Sequence, residues 1–219
     1  GDSAGGGLAP SLVLDLAANP GDQDPQLQGA VLLSPWTNMR CDTPSYYFNA
    51  FRKVQSRGAD RSPATVGDII FQDPPATGQQ LCREYLKDWL GDARFEADPV
   101  ASPMFAGRAQ YAEGRVPPLY FVVGGSEVIL GESVVPAQKT ACYGVDVTLD
   151  VFPGMWHVFP MYSEGCGSSK GLAAAHRAMR RIADFVGRAA REGGAPPGHA
   201  LVDVLYAPGA GGGYGLDAA

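Results

Sequence analysis

Gly1-Asp2-Ser3-Ala4-Gly5 sets a serine between glycines in the spacing G-x-S-x-G. That pattern marks a sharp strand-to-helix turn that lifts a hydroxyl clear of a sheet. Side chains at the glycine positions would collide with neighbouring elements, and a helix N-terminus behind the serine favours developing negative charge. Five residues with three fixed recur by chance, so the serine needs partners: a base to take its proton and a carboxylate to orient that base. Past the apolar run 118–124 (PLYFVVG), the first carboxylate is Glu127, in Gly125-Ser126-Glu127-Val128-Ile129-Leu130-Gly131-Glu132. Glu132 is its rival, but it falls near the start of a helix, where an acid is often only a favourable first-turn charge; Glu127 is preferred. Of the three histidines, His176 lies inside a long helical pattern and His199 in a polar, Pro-rich stretch. His157 follows an apolar run in Gly154-Met155-Trp156-His157-Val158-Phe159, and it is the expected base. Ser3, Glu127 and His157 then run in the order nucleophile, acid, base, with His157 taking the serine's proton and returning it to a leaving group.

Trypsin-like proteases also spell Gly-Asp-Ser, yet they place His and Asp ahead of the serine. Here more than two hundred residues follow Ser3, and that reading fails.

The elements that must hold these residues are strands alternating with helices. Core strands are expected at 28–35 (QGAVLLSP), 118–124 (PLYFVVG) and 145–153 (VDVTLDVFP). The first two are continuous apolar runs, as suits strands buried on both faces, and the third alternates more. Helices are expected at 3–18, stopped by Asn19-Pro20-Gly21, at 133–143, stopped by Gly144, and at 171–191, stopped by Gly193-Gly194. Such alternation implies a parallel sheet covered on both faces. Residues 40–95 fit no simple β–α unit; they are aromatic and broken by Pro63, Pro74 and Pro75, with a helix near 79–90. Insertions this long usually serve function, and a lid or cap is the expectation. Residues 1–192 then form one domain, and the Gly-, Ala- and Pro-rich tail 193–219 is expected to be disordered. Three strands are few for an open α/β sheet, and the opening motif should follow a strand; both lead to the expectation that the sheet's N-terminal strands precede this chain.

Composition narrows the classes. Hydrophobic residues are 45% and charged residues 18%, an ordinary globular balance. A net charge of −6 with no basic face excludes a nucleic-acid partner. No apolar run approaches the roughly 20 residues that span a bilayer. Cys41, Cys82, Cys142 and Cys166 lack zinc-site spacing and read as thiols rather than a disulfide framework. No metal or cofactor is signalled, and the oligomeric state and compartment stay open.

Taken together the motifs resemble the hormone-sensitive lipase family of α/β-hydrolases, the group of bacterial esterases, plant carboxylesterases and arylacetamide deacetylase relatives. The stretches that carry the likeness are GDSAGGGLA at 1–9, GAVLLSPWTN at 29–38, DPVASPMFA at 98–106, PPLYFVVGGSEVILGES at 117–133 and GMWHVF at 154–159. The resemblance implies an α/β-hydrolase fold with Ser3, Glu127 and His157 in the triad positions, although the family more often has Asp where Glu127 stands. It also implies an oxyanion hole using the backbone N–H of Ala4, its other donors coming from a His-Gly-Gly loop that this sequence lacks. The expected partner is a small-molecule ester of short or medium acyl chain. Trp36, Trp156 and Phe159 are candidates to line its pocket; each could equally be core, Trp36 foremost. The alternatives are a truncated chain without activity of its own, or a non-catalytic ligand binder on the same fold.

Overall fold

The computed structural model describes residues 1–19, 21, 27–50, 53–55, 63–65, 68, 86, 89–111, 116–165, 171–192 and 200–204. Its centre is a four-stranded parallel sheet of β1 (Ala30–Leu33), β4 (Leu119–Gly124), β5 (Val147–Phe152) and β6 (Ala200–Val204), in the order β1-β4-β5-β6. Beyond β1, Asp2 makes a parallel bridge to Leu33, so the residues ahead of Ser3 leave from the strand position next to β1. Three long helices flank the sheet: α1 (Ser3–Ala18), α4 (Gly131–Cys142) and α5 (Ala173–Glu192). The shorter α2 (Ser45–Phe48) and α3 (Arg108–Tyr111) lie in the connections, as does an antiparallel ladder of β2 (Lys53–Gln55) and β3 (Pro63–Thr65).

The layering follows from the period of two in β4, whose six residues are all buried. Leu119, Phe121 and Val123 pack with Val13 and Leu14 of α1 and Ala137 of α4 on one face. Tyr120 and Val122 pack with Ala174, Ala175, Ala178 and Phe185 of α5 on the other. Burying side chains of this size contributes roughly 1.5–3 kcal/mol each, so both faces of β4 are fixed, and with them the position of the turn that follows it.

One expectation needs correction. The expected strands and helices form with ends moved by no more than two residues, but the tail read as disordered contributes β6, which pairs in parallel with β5 over Val147 to Val151. Composition averaged over Gly, Ala and Pro hid the run Ala200-Leu201-Val202-Asp203-Val204, short and apolar but for Asp203. Of the helix expected near 79–90, Leu86, Trp89 and Leu90 are helical, and the remainder lies outside the described residues. Neither Cys41, buried, nor Cys142, exposed, is in a disulfide, while Cys82 and Cys166 lie outside the described residues. No described helix is long and apolar enough to cross a membrane.

One buried ion pair ties α5 to the sheet. Arg181 donates from Nε and Nη2 to the two oxygens of Asp150 on β5 at 2.5 and 2.7 Å. The Tyr120 hydroxyl, on β4, also donates to Asp150. Burial, together with that neighbouring carboxylate, pushes the Tyr120 hydroxyl far above the usual tyrosine range. Arg181→Leu would leave the fully buried carboxylate without its guanidinium. Because Arg181 itself keeps 32% exposure, the expected destabilisation is about 2–4 kcal/mol, at the lower side of a fully buried pair. Urea unfolding checks it, and an unchanged midpoint would show that the pair adds nothing.

Candidate active site

Ser3 sits where the chain leaves the sheet and enters α1, and its φ of +49° lies in the left-handed region. Of the two glycines of the motif, Gly1 is required by space and Gly5 is not, since a Cβ on Gly5 would meet nothing within 4 Å. A Cβ on Gly1 would lie 2.2 Å from the Gly5 carbonyl oxygen, and one on Gly7 would lie 1.9 Å from the Trp36 carbonyl oxygen. The first turn of α1 therefore lies flush on the Pro35-Trp36 segment, and Trp36 N–H donates to the Ser3 carbonyl at 2.9 Å. Gly7→Ala is expected to lower stability by about 1–3 kcal/mol through overpacking; a thermal melt at the wild-type midpoint would contradict that contact.

The three residues expected to act together do meet. His157 Nε2 lies 2.9 Å from Ser3 Oγ, and His157 Nδ1 lies 2.8 Å from Glu127 Oε2. Glu127 is fully buried and His157 nearly so. Glu127 enters from the turn after β4, and its Oε1 accepts from the Gly124 N–H at 2.5 Å and from the Ser34 hydroxyl at 2.6 Å. Burial pushes this carboxyl up, while His157, Ser34 and the Gly124 N–H pull it back toward ionisation. His157 follows β5 on a turn whose next residue, Val158, holds a φ of +49°, a conformation that costs a β-branched side chain energy.

Glu132, the rival acid, is buried elsewhere. Its Oε2 accepts from the N–H groups of Thr37 and Asn38 at 2.8 and 3.1 Å, and Tyr46 OH donates to Oε1 at 2.5 Å. It fastens the segment after β1 to α4, and burial raises its carboxyl well above the ordinary value of 4.5. His176 is exposed on α5, and His199 lies outside the described residues.

Several groups at the site escaped sequence reasoning. Ser34 ends β1, and its hydroxyl also accepts from the Val158 N–H at 3.0 Å. Asn49 donates to the carbonyls of Glu127 and Gly125 at 2.7 and 3.2 Å. Asp68 is fully buried and accepts from the Val128 N–H at 2.9 Å. The one signal for Ser34 was its place at the C-terminal end of a parallel strand, where sites of such sheets gather; Asn49 and Asp68 carry none. Among the described residues, the one cluster of ligand-type side chains is Asp68, Glu127 and His157, with donor atoms within 4.8 Å of one another. The short contact within it is the Glu127–His157 hydrogen bond.

Ala4 lies in the first turn of α1, where helix geometry leaves amides without intrahelical acceptors. It borders an apolar cavity of about 250 Å³ whose walls include Leu8, Trp36, Met39, Trp89 and Val100. Trp36 thus lines the cavity, as one of the two readings allowed. Phe159 does not: it is fully buried against Phe152, ring centroids 4.8 Å apart, beneath α5. Trp156 packs on the same cluster and meets Tyr162 edge-on at 5.7 Å. The turn at Val158 feeds a 3-10 helix, Phe159–Tyr162, that carries these rings to the far face of the sheet from α1. From the segment 40–95, Cys41, Tyr46, Ala50 and Leu86 pack with Val128 and Ile129 of the turn bearing Glu127.

Residues 1–161 match the family described as alpha/beta hydrolase fold. An acetyl-hydrolase of Streptomyces hygroscopicus is 28% identical over 162 residues, which are 74% of this chain and 44% of that protein. A crystal structure of an esterase/lipase from an uncultured bacterium superposes with a TM-score of 0.64 at 25% identity, covering 86% of this chain and 51% of the other. An esterase from the bacterial hormone-sensitive lipase family gives 0.62 at 27%, covering 85% and 50%. The chain thus spans about half the length of the relatives it matches.

Proposed function

The chain belongs to the α/β-hydrolase fold family, and from that premise we propose that it carries the nucleophile, acid and base of a serine carboxylic-ester hydrolase, acting through an acyl-serine intermediate on short- or medium-chain esters. The observation that supports this most is the continuous hydrogen-bonded line Ser3–His157–Glu127, at 2.9 and 2.8 Å. The names of its relatives, an acetyl-hydrolase and an esterase/lipase among them, point the same way.

Ser3 Oγ attacks the ester carbonyl carbon while its proton passes to His157 Nε2. The carbonyl oxygen, now negative, faces the Ala4 N–H and the positive end of α1. The tetrahedral species collapses, the ester C–O bond breaks, and His157 returns the proton to the leaving alkoxide. Water then attacks the acyl-serine, giving its proton to His157, and the acid departs as Ser3 regains its hydrogen. Glu127 holds the imidazole with Nδ1–H toward itself and balances the imidazolium charge. The acyl chain lies in the cavity beside Ala4, apolar through Leu8, Trp36 and Met39.

Each methylene buried there contributes about 0.8 kcal/mol, which is roughly a fourfold gain in kcat/KM. A p-nitrophenyl ester series from acetate upward should therefore climb by about that factor per carbon until the cavity is full, then level or fall. An intact mass spectrum after fluorophosphonate treatment should show one adduct, absent from Ser3→Ala. Labelling that survives Ser3→Ala unchanged would sink the proposal.

A further inference from the structure

We infer that Ser34 is a positioning residue for the triad, its hydroxyl setting the Glu127 carboxylate and the turn that carries His157 from one point at the end of β1. This rests on the esterase reading above and adds to it a residue outside the nucleophile, acid and base. Ser34 is completely buried. Its backbone N–H is spent on the Val122 carbonyl at 2.8 Å, so the side chain alone serves the site. A hydroxyl has one proton to give. Here it goes to Glu127 Oε1 at 2.6 Å, while the oxygen receives the Val158 N–H at 3.0 Å. The acid and the base arrive from the ends of β4 and β5, and Ser34 bridges them from a third strand.

The backbone supports this assignment. Ser34 holds a φ of +44°, a strained value for a residue with a side chain, and such strain persists where the surroundings over-determine it. The same conformation occurs at Val158, whose N–H the Ser34 hydroxyl receives. The titratable groups facing the Glu127 carboxylate among the described residues are His157 and Asp68, and Ser34 is one of the groups that lower its proton affinity. Removing that donation lets burial push the carboxyl further up, so it takes up a proton at higher pH than in the wild type.

Ser34→Ala and Ser34→Gly separate the hydroxyl from the backbone, because glycine accepts a positive φ without strain. Both are expected to lower kcat for p-nitrophenyl butyrate on the order of tenfold to hundredfold, as for a lost charge-assisted hydrogen bond. KM should stay within about twofold, and the acid limb of the kcat profile should move to higher pH. In proton NMR of the full chain, the low-field signal of the proton between His157 and Glu127 should shift or broaden in both variants, while the glycine variant stays folded. Wild-type kcat, pH profile and low-field signal in both variants would overturn the inference. So would a loss confined to the alanine variant, which would make the backbone the cause, or a wild type with no such low-field signal. A wild type without ester turnover would instead sink the esterase proposal, and the NMR comparison would still decide Ser34.

Discussion

Ser3→Ala, His157→Ala and the double variant are expected to fall to one common residual rate, about a millionfold below wild type in kcat. The expectation follows from how the proton moves. Ser3 Oγ and His157 Nε2 share one hydrogen bond of 2.9 Å, and neither attack nor proton transfer has value without the other. A serine without its base is an ordinary alcohol, and an imidazole without the serine has nothing positioned to attack. Energies of groups that act as one unit therefore do not add. The residual rate would come from binding and from the helix end at Ala4. Hydrolysis of p-nitrophenyl butyrate, with active sites counted by fluorophosphonate, gives the three rates. If the double variant were slower than wild type by the product of the two single losses, the two residues would be acting in separate steps, and the relay would be wrong.

How much of this was legible beforehand depended on whether a residue's role was written in its local pattern. Ser3 sat inside a glycine motif with a local steric reason at Gly1, which has no room for a Cβ against Gly5, whereas Gly7 is held to glycine by Trp36 from across the fold. Glu127 and His157 followed apolar runs that could only be strands, and the C-terminal ends of parallel strands converge. Ser34 and Asp68 were not legible, because their roles come from contacts across 93 and 60 positions of sequence and neither stands in a motif. Phe159 shows the converse failure. It lies two residues from His157, but the positive φ of Val158 turns the chain and buries the ring under α5. Nearness in sequence carried no information past a strained turn. β6 was missed for a different reason, since a five-residue strand within a glycine-rich stretch is lost when composition is averaged.

The choice between the two buried acids has a sharp test in the amides. Glu127 Oε1 receives two donors, Gly124 N–H and Ser34 OH, and Oε2 faces His157 Nδ1. In Glu127→Gln the carbonyl oxygen must occupy the first place, because an NH₂ there would meet the fixed Gly124 N–H. The NH₂ then points at His157 and donates to Nδ1, which forces the ring proton onto Nε2, the nitrogen that must accept from Ser3. This wrong tautomer is expected to cost on the order of ten-thousandfold in kcat with little change in KM. Glu132→Gln should behave otherwise. Its amide oxygen keeps the Thr37 and Asn38 N–H groups, and its NH₂ can donate to Tyr46, whose hydroxyl turns to accept. Activity should stay within about tenfold, since these hydrogen bonds are kept and none of them touches the reacting groups. Its stability carries a pH signature as well. Burial raises the Glu132 carboxyl well above 4.5 in the folded state, so the native chain holds that proton where the unfolded chain has lost it. Wild-type stability from this group is then full below about 4.5 and drains away as pH rises toward the folded value. The glutamine lacks that loss, so the variant should gain on wild type in chemical denaturation as pH rises above about 4.5. If Glu132→Gln were the variant that stops turnover while Glu127→Gln kept it, the acid would have been assigned to the wrong side of the turn.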